Sequence, residues 1–310
     1  MISRDLATFA KVSGGVLQGA NATFARVISD SRALEPGALF VALTGDRFDG
    51  HDFVADAAAR GAAGAIVSRP VEGPLPQVVV ADTLAGLATF ANAWRRSFAG
   101  VVVGITGSNG KTTVKEMTGA ILAELGPCLV TQGNLNNHIG VPLTLCRLEA
   151  THRCAVIEMG ANHLREIAHL AAIAEPTVGL VINAGQAHLE GFGDIEGVAR
   201  GKGELFEALG PDGTAVINAD DRFAAFWRGR ARHAGRVVTF GLRERADVSA
   251  RDVRSHLGST GFVTTFELVT TSGRRSIELG LAGEHNVMNA LAATAAAMAA
   301  GAELDAVQRG

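Results

Sequence analysis

The chain is 310 residues long, with 47% hydrophobic and 19% charged side chains, against the roughly 25% charged residues of an ordinary soluble domain. That length and composition suit about two domains with large buried cores and exclude a disordered chain. A net charge of −3 supplies no bulk basic field, so no nucleic-acid partner is expected.

The opening stretch, MISRDLATFAKVSGG, holds no continuous apolar segment, so no signal peptide is read there. The first 80 residues carry VISDSR, GALFVAL, AAGAIVS and QVVVAD, short β-rich runs between loops rich in Gly and Asp. They predict a small separate α/β domain over 1–82, ending near Asp82, ahead of the helix TLAGLATFANAWRRSF. A second domain is expected over 83–310. From about residue 100, VVVGIT, CLVT, AVIEM, TVGLVIN, GTAVIN and RVVTF read as strands. Their near-continuous apolar character suits burial on both faces. Helical stretches such as KTTVKEMTGAILAEL and HLREIAHLAAIA alternate with them. This β-α-β alternation predicts an α/β fold with a mainly parallel sheet flanked by helices.

After Gly241 the pattern changes to short, partly alternating strands in ADVSARDVRS, GFVTTFELVT and RRSIELGLA. EHNVMNALAATAAAMAA reads as a helix, and the last residues begin another. The stretch 287–302 is the longest apolar one, but it is mostly alanine and carries Asn289. It is also shorter than the roughly 20 residues that span a bilayer, so no membrane insertion is expected. Cys128, Cys146 and Cys154 show no CxxC spacing. They are expected to be buried small hydrophobes in a reducing cytoplasm. A cytoplasmic monomer is the expectation.

The stretch GITGSNGKTT over 104–113 carries chemistry. It follows the strand VVVGIT and opens a helix, the context that a phosphate-binding loop requires. The strict template, G-x-x-x-x-G-K-[ST], is not met, because Ile105 stands where its first glycine belongs. Gly107 and Gly110 allow backbone N–H groups to converge on phosphate oxygens, and the helix start adds partial positive charge. Lys111 would reach the β- and γ-phosphates, and Thr112 would offer its hydroxyl to Mg²⁺. An ordinary tight turn needs a glycine or two, but not Gly-Lys-Thr-Thr at the helix start.

TGSNGKT over 106–112 is the variant found in the Mur ligase superfamily of peptidoglycan synthesis, and further segments of the chain resemble that superfamily. These are TQGNLNNHIGVPLTL over 131–145, EMGANHLREIAHL, NAGQAHLEGFG, and upstream SDSR followed by GALFVALTGDRFDGHDFV. They are ordered and far apart, spanning about 27–300. They are most similar to the branch that joins D-alanyl-D-alanine to UDP-MurNAc-tripeptide. The resemblance implies that the N-terminal domain binds the UDP-sugar and that the P-loop-type central domain binds ATP. Its ATP residues would be Thr106, Gly107, Ser108, Asn109, Gly110, Lys111, Thr112 and Thr113, with His285, Asn286 and Asn289 near the base or ribose. Thr112 and Glu158 would serve one Mg²⁺ and His188 a second. Lys202 would carry CO₂ as a carbamate facing the metals. Lys111, Lys202 and His188 would be catalytic. Ser31, Arg32, Gly45, Asp49, Gly50, His51 and Asp52 would form the UDP side, with Phe48 or Phe53 on the uracil. Asn134, Asn136 and Asn137 would face the muramoyl-peptide.

The residue chemistry is compatible with that assignment. A carboxylate is a poor electrophile, and phosphorylation by ATP activates it for amide formation. Phosphoryl transfer between anions needs metal and fixed donors. A carboxylate at a strand end, as in Glu158, can hold Mg²⁺. A carbamate needs a neutral amine, so the Lys202 site should depress its pKa. Each residue also has a plainer reading. Lys202 could be a solvated helix lysine and His188 a satisfied loop histidine. Glu158 could be a helix cap, Asn286 and Asn289 caps or buried polar groups, and DGHDF a tight turn capping a helix.

Other functions stay open. Another superfamily ligase would add an amino acid, though that branch shows a Thr-rich loop where Asn134, Asn136 and Asn137 stand. A folylpolyglutamate synthetase would lack the N-terminal domain. A kinase or regulatory NTPase would need no UDP-binding domain, and a non-catalytic nucleotide-binding module is a further alternative. The resemblance implies a third domain entered through a D-D-x-Y-N-A-N-P linker, which does not occur here. A truncated form with impaired catalysis is therefore expected.

Overall fold

The computed structural model describes residues 1–45, 48–186, 189–258 and 261–310. They form two compact units, one of 1–99 with 138–150, the other of 100–137 with 151–310.

The first unit contains α1 (Leu6–Ser13), β1 (Val16–Gln18), β2 (Val27–Ile28), β3 (Leu39–Val41), β4 (Thr44–Gly45), β5 (Phe48–Asp49), α2 (Val54–Ala59), β6 (Gly64–Val67), β7 (Gln77–Val79) and α3 (Thr83–Arg96). Its five-stranded sheet has the order β1-β7-β6-β3-β2, parallel except at β1, while β4 and β5 pair separately. Asp82, where the sequence pattern suggested a boundary, is the N-cap of α3 and accepts the Ala85 N–H. Leu87, Phe90, Ala91 and Trp94 recur at helical spacing and are buried. Phe90 stacks on Phe9 of α1 with centroids 4.7 Å apart, so α3 packs within the first unit and the units divide after it. The indole N–H of Trp94 donates to the Leu148 carbonyl at 3.0 Å, which ties 138–150 to the same unit.

The second unit continues with β8 (Val101–Thr106), α4 (Lys111–Ala123), β9 (Cys128–Val130), then, beyond α5 (Gly140–Leu145) of the first unit, β10 (Cys154–Glu158), α6 (Glu166–Ala174), β11 (Val178–Val181), α7 (Leu189–Phe192), α8 (Ile195–Glu207), β12 (Thr214–Asn218), α9 (Ala224–Arg230), β13 (Arg236–Phe240), β14 (Val248–Gly258), β15 (Gly261–Thr270), β16 (Gly273–Leu279), α10 (Glu284–Ala299) and α11 (Leu304–Arg309). One nine-stranded sheet runs β16-β15-β14-β13-β12-β11-β8-β10-β9. It is parallel from β9 to β14 and antiparallel through β14, β15 and β16. The apolar runs of β10, β11 and β12 are buried along their whole length, as strands covered on both faces must be.

Two features differ from the sequence pattern. The segments after Gly241 are long strands, 11 and 10 residues in β14 and β15, that extend the same sheet. Helix α6 starts at Glu166, because Arg165 holds a left-handed φ of 72°. The alanine-rich stretch is α10, a core helix packed on α4 and the sheet. Among the described residues no helix is long and apolar enough to cross a membrane. The cysteines are free, Cys146 and Cys154 buried and Cys128 half-buried.

Strand β8 lies between β10 and β11; the connection that leaves β8 runs to β9 on the β10 side, and the one that leaves β10 runs to β11 on the other side. A crevice at such a switch point is where open α/β sheets bind ligands.

Candidate active site

The switch point holds the glycine-lined corner. β8 ends at Thr106 and α4 begins at Lys111, with Gly110 as a left-handed N-cap (φ 81°) and no side-chain cap bond. The first amides of a helix have no partner within it, so this bare N-terminus offers donors and partial positive charge to an anion. A Cβ at Gly110 would lie 2.5 Å from Asn289 Oδ1, which brings α10 against the loop. Asn289 is buried and donates to Asn286 Oδ1 at 3.3 Å, while Asn286 donates to the Ala282 carbonyl. His285 is exposed at the start of the same helix.

Asn183, just after β11, braces the corner. Its Oδ1 accepts the Ser108 and Asn109 N–H groups at 3.1 and 3.0 Å, and its Nδ2 donates to the Asn109 carbonyl. Ser108 Oγ donates to the Gly185 carbonyl and accepts the Gly185 N–H. The NADD segment after β12 supports this loop in turn. Asn218 donates to the Ile182 carbonyl, and Asp221 accepts the Ala184 N–H at 2.9 Å. Burial raises the Asp221 carboxyl pKa. Lys111 is folded back, donating to the Gly107 and Ser108 carbonyls at 2.8 and 3.3 Å. Burial lowers its pKa, opposed by the negative charge of Glu158. Thr112 is exposed and Thr113 half-buried on the first turn.

Glu158 ends β10 and is 2% exposed. Its Oε1 accepts Asn136 Nδ2 at 2.7 Å. Its Oε2 is buried without a hydrogen-bond partner, as is Thr106 Oγ1 at the end of the adjacent strand. Buried oxygens that accept no hydrogen bond are costly, and a hard divalent cation takes oxygen ligands. The donor set therefore fits a Mg²⁺ beside the corner. His188 lies outside the described residues.

Lys202 on α8 is 1% exposed, with Nζ 3.4 Å from the Ala161 carbonyl and 5.4 Å from the Phe192 ring centroid. Gly201 and Gly203 flank it, and a Cβ at Gly201 would lie 2.5 Å from the Phe192 ring. Burial pushes the Lys202 pKa down to about 8, helped by the positive charge of Lys111 and opposed by Glu166 and Glu204. Glu204 is committed elsewhere, accepting the Arg165 and Ala168 N–H groups at the start of α6. Lys202 is thus a buried amine with a large neutral fraction near pH 8, not a solvated helix lysine.

Asn136 faces Glu158, and its carbonyl accepts the Gly160 N–H at 2.8 Å. Asn134 and Asn137 are exposed on the same loop. Lys115 went unnoticed in the sequence pattern, where it resembles any lysine of an amphipathic helix. It is fully buried, and its Nζ donates to the Thr131 carbonyl at 2.9 Å.

In the first unit a cavity of about 430 Å³ is lined by Thr44, Gly45, Ser68, Asp82, Thr83 and His138, among others. Of the residues assigned to the UDP side, it includes Gly45. His51 is buried with both ring nitrogens engaged. Nε2 accepts the Ser68 N–H at 2.9 Å, so Nδ1 carries the proton and donates to Asp49. The His51 N–H and Arg69 also bond Asp49, which holds that carboxyl well below its usual range. His51 and Asp49 therefore brace the turn after β5. A Cβ at Gly50 would meet the Leu43 carbonyl at 2.5 Å, so only glycine fits there. Ser31 opens a 3-10 turn capped by Asp30, and Arg32 is exposed. Arg32 makes a two-pronged bond to Asp30, which draws the Asp30 carboxyl down to about 2. Asp52 lies on the turn 50–53, and Phe48 and Phe53 are exposed.

Residues 105–297 match the Mur ligase middle domain, and residues 23–94 match the catalytic domain of the Mur ligase family. UDP-N-acetylmuramoyl-tripeptide--D-alanyl-D-alanine ligase of Escherichia coli (strain K12) is 46% identical over 311 residues, covering 100% of this chain and 68% of that protein. The crystal structure of MurF from Acinetobacter baumannii superposes with a TM-score of 0.89 at 39% identity, covering 97% of this chain and 66% of that one. The MurF ligase from Thermotoga maritima in complex with ADP gives a TM-score of 0.77 at 29% identity, covering 91% of this chain and 65% of that one. The chain spans about two thirds of the length of these relatives.

Proposed function

The chain belongs to the Mur ligase family, and from that premise we propose that it acts as an ATP-dependent amide ligase of peptidoglycan precursor synthesis, joining D-alanyl-D-alanine to UDP-MurNAc-tripeptide. The observation that carries this reading is the bare N-terminus of α4 with Lys111, set beside buried Glu158, whose Oε2 accepts no hydrogen bond. In this reading the amides of Gly110, Lys111 and Thr112 hold the nucleotide phosphates. Lys111 leaves its contacts with the Gly107 and Ser108 carbonyls for the phosphate oxygens. Asn286 and Asn289 face the nucleoside, because α10 abuts Gly110. Thr112 and Glu158 hold Mg²⁺, and His188 serves a second ion. Bound there, magnesium offsets the negative charge that gathers during phosphoryl transfer.

A terminal carboxylate oxygen of the tripeptide attacks the γ-phosphorus and ADP departs. The amine of the dipeptide then attacks the acyl carbon, phosphate leaves, and an amide remains. The buried, partly neutral Lys202 amine suits addition to CO₂, which would place an anionic carbamate near the cations. UDP recognition falls to the first unit, through the cavity beside Gly45 and the exposed Arg32, Phe48 and Phe53. His51 and Asp49 support that surface. Asn134 and Asn137 serve the peptide side.

ADP release with UDP-MurNAc-tripeptide and ATP, measured with D-alanyl-D-alanine or with single L-amino acids, tests the reading. Release with the dipeptide alone supports it. Release with glutamate and folate, or with a single amino acid, overturns the substrate assignment.

A further inference from the structure

Lys115 lies one helical turn beyond Lys111 on α4 and is among the largest fully buried side chains of the protein. Burying an ammonium is costly unless it is paired and hydrogen-bonded, so a position that only filled space would be better served by methionine or leucine. The Lys115 ammonium instead donates to the Thr131 carbonyl at 2.9 Å and sits 3.5 Å from the Gly133 carbonyl. It pairs with Glu116 at 2.9 Å and lies 4.0 Å from Glu158 Oε2. That last distance is an ion pair but not a hydrogen bond. Lys115 thus steadies the Glu158 charge and leaves Oε2 open to a second cation.

The same loop is tied to Glu158 twice more. Thr131 Oγ1 accepts the Glu158 N–H at 3.0 Å, and Asn136 Nδ2 donates to Glu158 Oε1 at 2.7 Å. Helix α4, the Glu158 carboxylate and the 131–137 loop therefore share one buried polar network with Lys115 at its centre. Such networks transmit displacement, because few arrangements satisfy every member.

We propose that Lys115 is a positioning residue that couples the nucleotide end of the site to the 131–137 loop, so that occupancy of one sets the geometry of the other. This rests on the ligase reading above, which assigns that loop to the peptide substrate. Lys115→Met keeps the stem and removes the charge. Calorimetric titration is expected to show that saturating MgADP tightens UDP-MurNAc-tripeptide binding to the wild type about tenfold, a common size for coupling between sites, and leaves the affinity of the variant unchanged. No tightening by MgADP in the wild type, or equal tightening in wild type and variant, overturns the coupling. Hydrogen–deuterium exchange of the wild type provides an arm that needs no variant. MgADP is expected to slow exchange of the 131–137 amides, and unchanged exchange there refutes the inference even if Lys115→Met does not fold. Wild-type protein that binds neither ligand would overturn the ligase reading instead.

Discussion

Gly110→Ala is the sharpest single perturbation of the corner. Gly110 has a φ of 81°, where a side chain costs about 1–2 kcal/mol. The added Cβ would lie 2.5 Å from Asn289 Oδ1. Asn289 must then swing away and lose its bond to Asn286, at about 0.5–1.5 kcal/mol. The total is about 1.5–3.5 kcal/mol, which is roughly 10- to 300-fold in an equilibrium constant. The flanks are pinned, by the Val114 N–H on the Gly110 carbonyl at 2.9 Å and by Asn183 on Ser108 and Asn109. The free loop can relieve the strain only by turning the Gly110 peptide, and bound nucleotide must restore it. Titration calorimetry should show MgADP affinity falling within that range. Strain that persists in the free protein appears instead as a lower Tm, by about 2–4 °C per kcal/mol for a domain of this size. Unchanged affinity together with unchanged Tm refutes the assignment of this corner.

Lys202→Met should raise Tm at pH 7 in nucleotide-free, bicarbonate-free buffer while abolishing ligation. The folded pKa near 8 lies below the ordinary 10.5, so the unfolded chain binds more protons between those values. The cost of burying the cation is complete below pH 8 and is relieved as pH rises towards 10.5. The Tm advantage of the variant should therefore shrink by pH 10, and a variant less stable at every pH contradicts the low pKa. Glu158→Gln is expected to abolish the gain in ADP affinity that Mg²⁺ provides, and an undiminished Mg²⁺ effect in calorimetry would remove Glu158 from the metal site. Gly50→Ala should lower Tm, because its Cβ meets the Leu43 backbone, and a wild-type melting curve would show that the turn can shift freely.

The central sheet was legible in the sequence because strands covered on both faces must be apolar throughout, as in CAVIE and TAVIN. The corner was legible because Gly-Lys-Thr-Thr after a strand has few other uses. Packing partners were not. Nothing in the periodicity of α3 reveals that Phe90 stacks on Phe9, so the helix pattern alone could not assign it to a unit. Alternation announced β14 and β15 but not their length. The start of α6 turned on the left-handed Arg165, a residue type with no preference for that conformation. Residue type alone did not mark every residue around the candidate site. Lys115 and Asn183 look like an ordinary helix lysine and loop asparagine until their environments are known. His51 shows the reverse, a histidine in a promising motif whose two ring nitrogens serve the fold.

A crystal structure of the protein with MgADP tests the central claim most directly. The β-phosphate is expected on the amides of Gly110, Lys111 and Thr112, with the metal bound to Glu158 Oε2. A nucleotide seated elsewhere, or a metal remote from Glu158, would contradict it.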